Sequence, residues 1–223
     1  MLDLSNLAPG FSEPGLESQQ VFRQCLHALA HPGTIITLPL EVAVPAPMMP
    51  ATGAIALALL DQDTRVWLSP GLSTAPVIDY LRFHTGCHVT SDSSAADFAL
   101  VQSTNELVSL ARFNQGTDEF PEHSTTVVLQ IAELGTDPIG NSPAWELTGP
   151  GIKHQCSLRV DPGSLPTIGS DGNSAAADFT RRFAPDWLQN HQRFPGGVDV
   201  FFVSGHQLCA LPRSTRLHLL KGV

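Results

Sequence analysis

A chain of 223 residues with 42% apolar side chains has enough material for a substantial buried core and lies far from a disordered composition. Its 21 acids against 12 bases give a formal charge of −9, which argues against nucleic acid as the main partner, because a phosphate backbone selects a basic face. No apolar run reaches the length of a membrane span, Ile55–Leu60 being the longest candidate, so no membrane partner is expected.

The first fifteen residues carry acids and two prolines where a secretory signal needs a basic patch and an apolar core. They are expected to form an extended N-terminal segment. Leu16 to Ala30 then reads as an amphipathic helix, with Val21, Phe22, Cys25, Leu26 and Leu29 on one broad stripe. His31-Pro32-Gly33 stops it, since proline disfavours helix at the residue before it. Thr34–Leu38 predicts a strand, and the small apolar stretch Met49 to Leu60 a buried helix. Arg65–Leu68 is a short strand, followed by a helix from Thr74 to Thr85 that Gly86 terminates.

Phe98–Gln102 predicts another strand. Ser103-Thr104-Asn105-Glu106 has the S-x-x-E spacing of a capping box, which predicts a helix reaching Phe113. Thr125–Ile131 is a β-branched strand, Leu134 to Trp145 reads as loop, and Leu147 to Gly151 as a strand end with a tight turn. Gln155–Val160 is a further strand. Residues 161–173, rich in Gly, Pro and Ser, read as a surface loop, and Ser174 as the cap of a helix to Asn190 interrupted near Pro185. Val198–Val203 and Gln207–Leu211 are strands joined by a short Gly-containing turn. Strands alternate with helices and then cluster at the end. That order predicts one α/β domain over residues 1–223, three-layered, with a mixed central sheet and a C-terminal antiparallel hairpin.

The chemistry is defined first by what is missing. There is no GxxxxGK[ST] loop, no GxGxxG after a strand and no GxSxG elbow, so neither nucleotide binding nor serine hydrolysis by this chain has motif support. Cys25, Cys87, Cys156 and Cys209 are scattered without CxxC spacing and read as buried free thiols of a cytoplasmic protein. His27/His31 and His84/His88 are too few, and the second pair is broken by Gly86, so no metal or other cofactor is expected. Arg82 and His84 at a helix end either compensate the helix dipole or line a cleft that presents donors to an anion. Gly116–Glu122 is either a turn of solvated acids or a face towards a partner. Pro212-Arg213-Ser214-Thr215-Arg216 after the hairpin offers guanidinium forks and hydroxyls that match phosphate oxygens, or else arginines that pair with local acids.

Several segments resemble one family in the same order along the chain. They are Phe22-Arg23 with Ala28 to Gly33, Val66-Trp67-Leu68-Ser69, Leu81-Arg82-Phe83-His84-Thr85, Gly116-Thr117 with Pro121-Glu122, Leu147-Thr148-Gly149-Pro150-Gly151-Ile152, and the ending Phe194-Pro195-x-Gly197-Val198-Asp199 with Ala210 to Arg216. Together they resemble the PhnH subunit of the bacterial carbon–phosphorus lyase system; Ser214 stands where that family commonly has threonine. The resemblance implies a fold similar to the large domain of pyridoxal-phosphate-dependent transferases, without the cofactor. Neither Lys153 nor Lys221, the only lysines, stands in a convincing Schiff-base context. It further implies a homodimer that joins the G, I and J subunits, with phosphonate or ATP at a shared site. That assembly transfers an alkylphosphonate onto the ribose of ATP with release of adenine, giving a ribose 1-alkylphosphonate 5-triphosphate.

Three functions follow for comparison: an accessory subunit of that transferase complex, a pure scaffold, and an autonomous enzyme acting on a phosphate ligand. The missing nucleotide motif and nucleophile–base pair favour the first two. Arg23, Arg82, His84, Arg213, Thr215 and Arg216 lie inside the segments that carry the resemblance. They are the candidates to meet an anionic group, on a ligand or on a partner, with Asp199 orienting one of the arginines. The competing possibility is that these residues form internal ion pairs that only hold the fold.

Overall fold

Proline in the first turn opens each of the first three helices, a position where its missing N–H costs nothing. The computed structural model describes residues 7–137, 144–163 and 173–219. Helix α1 (Pro14–Ala30) ends where predicted, with His31 N donating to His27 O before Pro32. After the two-residue strand β1 (Ile36–Thr37), α2 (Pro50–Leu59) is buried along Ala51 to Ala56, as its lack of polar faces requires. Strand β2 (Arg65–Leu68) leads to α3 (Ala75–Thr85), which stops at Gly86 in the left-handed region (φ 75°).

Strands β3 (His88–Thr90), β4 (Phe98–Val101), β5 (Thr126–Gln130) and β6 (Glu133–Gly135) come next, then β7 (Trp145–Thr148) and β8 (Cys156–Asp161). The chain closes with α4 (Asn173–Gln192), the hairpin β9 (Asp199–Ser204) and β10 (Gln207–Leu211), and β11 (Arg216–Leu219). The central sheet has seven strands in the order β1-β10-β9-β5-β4-β2-β3; β9, β5, β4, β2 and β3 pair in parallel, and β10 is antiparallel to both its neighbours. A second, antiparallel sheet runs β11-β7-β8-β6.

The central sheet separates two cores. On one face α1, α2 and α3 bury Val21, Cys25, Ile55, Tyr80 and Leu81 against Val66, Leu100, Val128 and Phe201. On the other, α4 and the second sheet bury Phe183, Trp187, Trp145 and Leu158 against Val127, Val200 and Phe202. Central strands apolar on both faces are what a sheet covered twice demands. The mixed sheet, the layering and the terminal hairpin agree with the sequence expectation, while half of the third layer is a sheet rather than helices.

Four local expectations are corrected. Residues 103–113 hold only a single 3-10 turn, Leu110–Arg112, because Glu106 turns back to Ser69 instead of closing a capping box. Leu134, expected in a loop, lies in β6, and residues 138–143 of that stretch lie outside the described residues. Helix α4 runs through Pro185 without a break. An interior proline costs a helix about 3 kcal/mol, but Phe183 and Trp187 on either side stack at 5.8 Å and are both buried, which holds the two halves in line. Strands β3 and β11 were not foreseen. Residues 1–6, the Ser174 side chain expected to cap α4, residues 164–172 of the predicted loop and Lys221 lie outside the described residues. Among the described residues no helix is long and apolar enough to cross a membrane.

Candidate functional site

Arg213 is the centre of a polar node under the amino end of the central sheet. Asp199 starts β9, and the antiparallel register of the hairpin, continued one step past Leu211↔Val200, sets it opposite Pro212, next to Arg213. Asp199 Oδ1 accepts from Arg213 N (2.7 Å) and Nε (3.1 Å), and Oδ2 accepts from the guanidinium at 2.6 Å. The remaining N–H groups donate to Pro121 O (2.8 Å), Pro195 O (3.3 Å) and Ser124 Oγ. All five guanidinium donors therefore have partners inside the chain. With side-chain exposures of 13% and 20%, this is a half-buried pair whose charges are well matched.

The rest of that segment is equally engaged. Thr215 is fully buried; its N–H donates to Pro212 O at 2.8 Å, and its carbonyl accepts from Trp187 Nε1 at 2.9 Å. Its Oγ1 has no partner among the described residues. His191 Nδ1 donates to Arg213 O at 2.9 Å. Arg216, one residue on, is exposed.

The other candidates stand on the opposite layer. Arg23 on α1 and Arg82 on α3 are exposed, and no hydrogen bond or ion pair holds either side chain among the described residues. His84 is pinned: Nε2 donates to Ala8 O at 3.0 Å, and its ring packs on Tyr80 and Phe83. The N-terminal segment thus covers His84, while Leu7, Ala8 and Phe11 pack on the core. The central sheet lies between these residues and the Arg213 node, so the seven candidates do not form one site.

A cluster that sequence reasoning missed lies at the carboxyl ends of β2 and β4. From β2 the chain steps through α3 to β3 on one side, and from β4 it steps to β5 on the other, so the strand order reverses between β2 and β4. In parallel sheets such a reversal opens a ligand crevice. Here it is closed by the chain itself. Glu106 accepts from Ser69 Oγ and from Gly71 N (3.0 Å), and Ser69 Oγ accepts from Gln102 N (3.0 Å). A Cβ at position 71 would meet the Gln102 side-chain oxygen at 1.4 Å and Glu106 Oε1 at 2.7 Å, so a larger residue there would have to displace both side chains. The signal in the sequence was Ser69-Pro70-Gly71 directly after a strand.

The start of α2, at the same edge, is also occupied: Met49 N donates to the buried Gln130 Oε1 at 2.6 Å, and Ala51 N to Gly205 O at 3.0 Å. Helix starts of this kind are ready anion sites when their amides are free. Both here hold the chain's own oxygens. His27 and His31 stack at 4.2 Å, and among the described residues no three His, Cys, Asp or Glu side chains converge as metal ligands. Burial pushes the Cys25 and Cys209 thiols up to about 12, which leaves them protonated and unreactive at neutral pH.

The comparisons with known proteins agree on one assignment. The chain is 35% identical over 209 residues, 93% of either chain, to a protein of Rhizobium meliloti (strain 1021) named alpha-D-ribose 1-methylphosphonate 5-triphosphate synthase subunit PhnH. It is 31% identical over 210 residues, 90% of this chain and 86% of the relative, to a Stutzerimonas stutzeri protein named putative C-P lyase subunit protein HtxG. The family model described as bacterial phosphonate metabolism protein (PhnH) matches residues 9–218, and the chain belongs to that family.

Proposed function

We propose that the chain is an accessory subunit of a carbon–phosphorus lyase core complex, supporting transfer of an alkylphosphonate onto the ribose of ATP with release of adenine. The observation that carries this is the relationship along nearly the whole length to a protein named as a subunit of ribose 1-methylphosphonate 5-triphosphate synthase. The G, I and J subunits are the proposed partners, in the cytoplasm. Leu16, Phe22 and Leu26, exposed on α1, offer apolar area for a homodimer.

The geometry supports an accessory role over an autonomous enzyme. At the carboxyl edge, Met49 N and Ala51 N at the start of α2 and Gly71 N in the turn after β2, amides that could meet a phosphate, hold internal acceptors instead. The mixed seven-stranded sheet with a single reversed strand and helices on both faces supports the finer likeness to the large domain of pyridoxal-phosphate transferases. Arg23, Arg82 and Arg216, exposed and able to reach outwards, are the proposed contacts to an anionic ligand or partner. Asp199, Arg213, His84 and Thr215 hold the surfaces that carry them.

The test is genetic. A strain lacking its own PhnH subunit, given this chain, is expected to regain growth on methylphosphonate as sole phosphorus source. Failure to grow, with the chain expressed and soluble and with growth on inorganic phosphate intact, would overturn the reading.

A further inference from the structure

A groove of about 720 Å³ runs between α4 and β11. Its floor is apolar: Trp187 and Leu217 line it, and Leu188 and Leu219 stand over it at 55% and 46% exposure. Large apolar side chains this exposed and this close together mark an interaction surface rather than scattered surface leucines. Arg216 and His218 stand on its rim. Beyond Arg216 and His191 the groove continues into a second cavity of about 340 Å³, bounded by the Gly149-Pro150 turn, Ser214 and Phe194, which is 61% exposed.

Among the described residues strand β11 is the last strand of its sheet and pairs only with β7, through Arg216↔Thr148 to Leu219↔Trp145. Its outer edge bears backbone groups unpaired within the sheet along the groove, a template for one more strand. The shape is therefore long, apolar below, cationic at the rim and open to backbone pairing on one side.

Charge selects the occupant. The chain as a whole carries −9, yet this rim presents Arg216 and histidines. A second copy docking through the same face would bring two cationic rims into one interface, with no acid among the residues lining either groove to meet them. An acidic and apolar segment of a different chain is matched on both counts.

We propose that the α4–β11 groove docks an extended, acidic and apolar segment of another subunit of the same assembly, aligned along β11 with a carboxylate on Arg216. The proposal rests on the accessory-subunit reading and assigns it a face. Leucines seated between Trp187, Leu188, Leu217 and Leu219 supply the affinity, and Arg216 fixes register.

The test is co-expression of the full chain with G, I and J subunits, followed by affinity capture of the other subunits through this chain. Leu188→Arg and Arg216→Glu are each expected to reduce the captured subunits by at least about tenfold, as for central interface residues. Circular dichroism, melting temperature and self-association of the variants should match those of the parent. A photo-crosslinking residue at Leu219 should join an acidic segment of one partner subunit. Undiminished capture by both variants overturns the proposal while leaving the accessory role intact. Loss of self-association alone, a crosslink to a second copy or to residues 220–223 of the same chain, or a titration showing that Arg216→Glu abolishes binding of a non-hydrolysable ATP analogue while capture is unchanged, each overturns it as well. If the parent chain itself captures no subunit, the accessory reading fails and this proposal fails with it.

Discussion

Asp199 and Arg213 are joined twice over, once through the Arg213 backbone N–H and once through a two-pronged guanidinium contact. The pair ties the start of β9 to the chain leaving β10, and the same guanidinium reaches Pro121 and Pro195. Three segments separated in sequence, at Pro121, at Pro195 to Asp199 and at Arg213 itself, are thus fixed by one side chain.

Replacing Arg213 with methionine strands a half-buried carboxylate, a hydroxyl and two carbonyls at once. The expected loss is about 3–5 kcal/mol, the cost of breaking a partly buried pair by removing one member. Asp199→Asn keeps the shape and some hydrogen bonds, so its expected cost is smaller, about 1–3 kcal/mol. Urea unfolding of both variants measures this, and a near-parental midpoint for Arg213→Met would refute the role given to the node.

Arg82 should behave in the opposite way. It is exposed at the end of α3, and no hydrogen bond or ion pair holds it among the described residues. Arg82→Met should change stability by no more than about 0.5 kcal/mol. If Arg82 meets an anionic ligand or partner as proposed, methylphosphonate-dependent growth of the complemented strain falls while melting temperature holds. Full growth at parental expression would remove Arg82 from the site.

The contrast between these arginines shows where the sequence was legible. Periodicity located α1, α2 and α3 and the strands β2, β4, β5, β9 and β10, because each buries a clear stripe or an all-apolar run. It could not tell Arg213 from Arg82, since whether a guanidinium is consumed internally depends on Pro121 and Pro195, some ninety and some twenty residues away in the chain. Glu106 misled for the same reason. Its spacing from Ser103 is that of a local cap, but its partner is Ser69, 37 residues earlier, brought near by parallel pairing of β2 with β4. Strand β11 was missed because the polar–apolar alternation of Arg216 to Leu219 runs for only four residues, three of them exposed; its register comes from β7.

Glu106 carries its own prediction. Ser69 is fully buried, and Glu106 is the acceptor for both its hydroxyl and the Gly71 amide. Glu106→Ala should cost about 1–3 kcal/mol by leaving these donors unpaired. Glu106→Gln, which retains a carbonyl oxygen, should recover part of that. Equal stability of parent and alanine variant in chemical denaturation would mean the crevice is not held closed by this residue.

The buried thiols set the alkaline limit of stability. Cys25 and Cys209 are raised from 9.0 to about 12, in both cases chiefly because burial penalises the thiolate. In the unfolded chain the same groups lose their protons near 9, so above that pH the unfolded state binds fewer protons than the folded one. Stability is therefore fully present below pH 9 and declines as pH rises towards 12, by up to about 1.4 kcal/mol per pH unit for each thiol. Tyr80, also raised to about 12 by burial, adds to the same slope above its ordinary value of 10.0. Denaturant midpoints measured from pH 8 to 11 should fall with this curvature. Cys25→Ala and Cys209→Ala lower stability at pH 8 by the cavity each leaves, yet flatten the decline between pH 9 and 11, and the double variant flattens it most. A decline of the same steepness in parent and double variant would show that other groups set the alkaline limit.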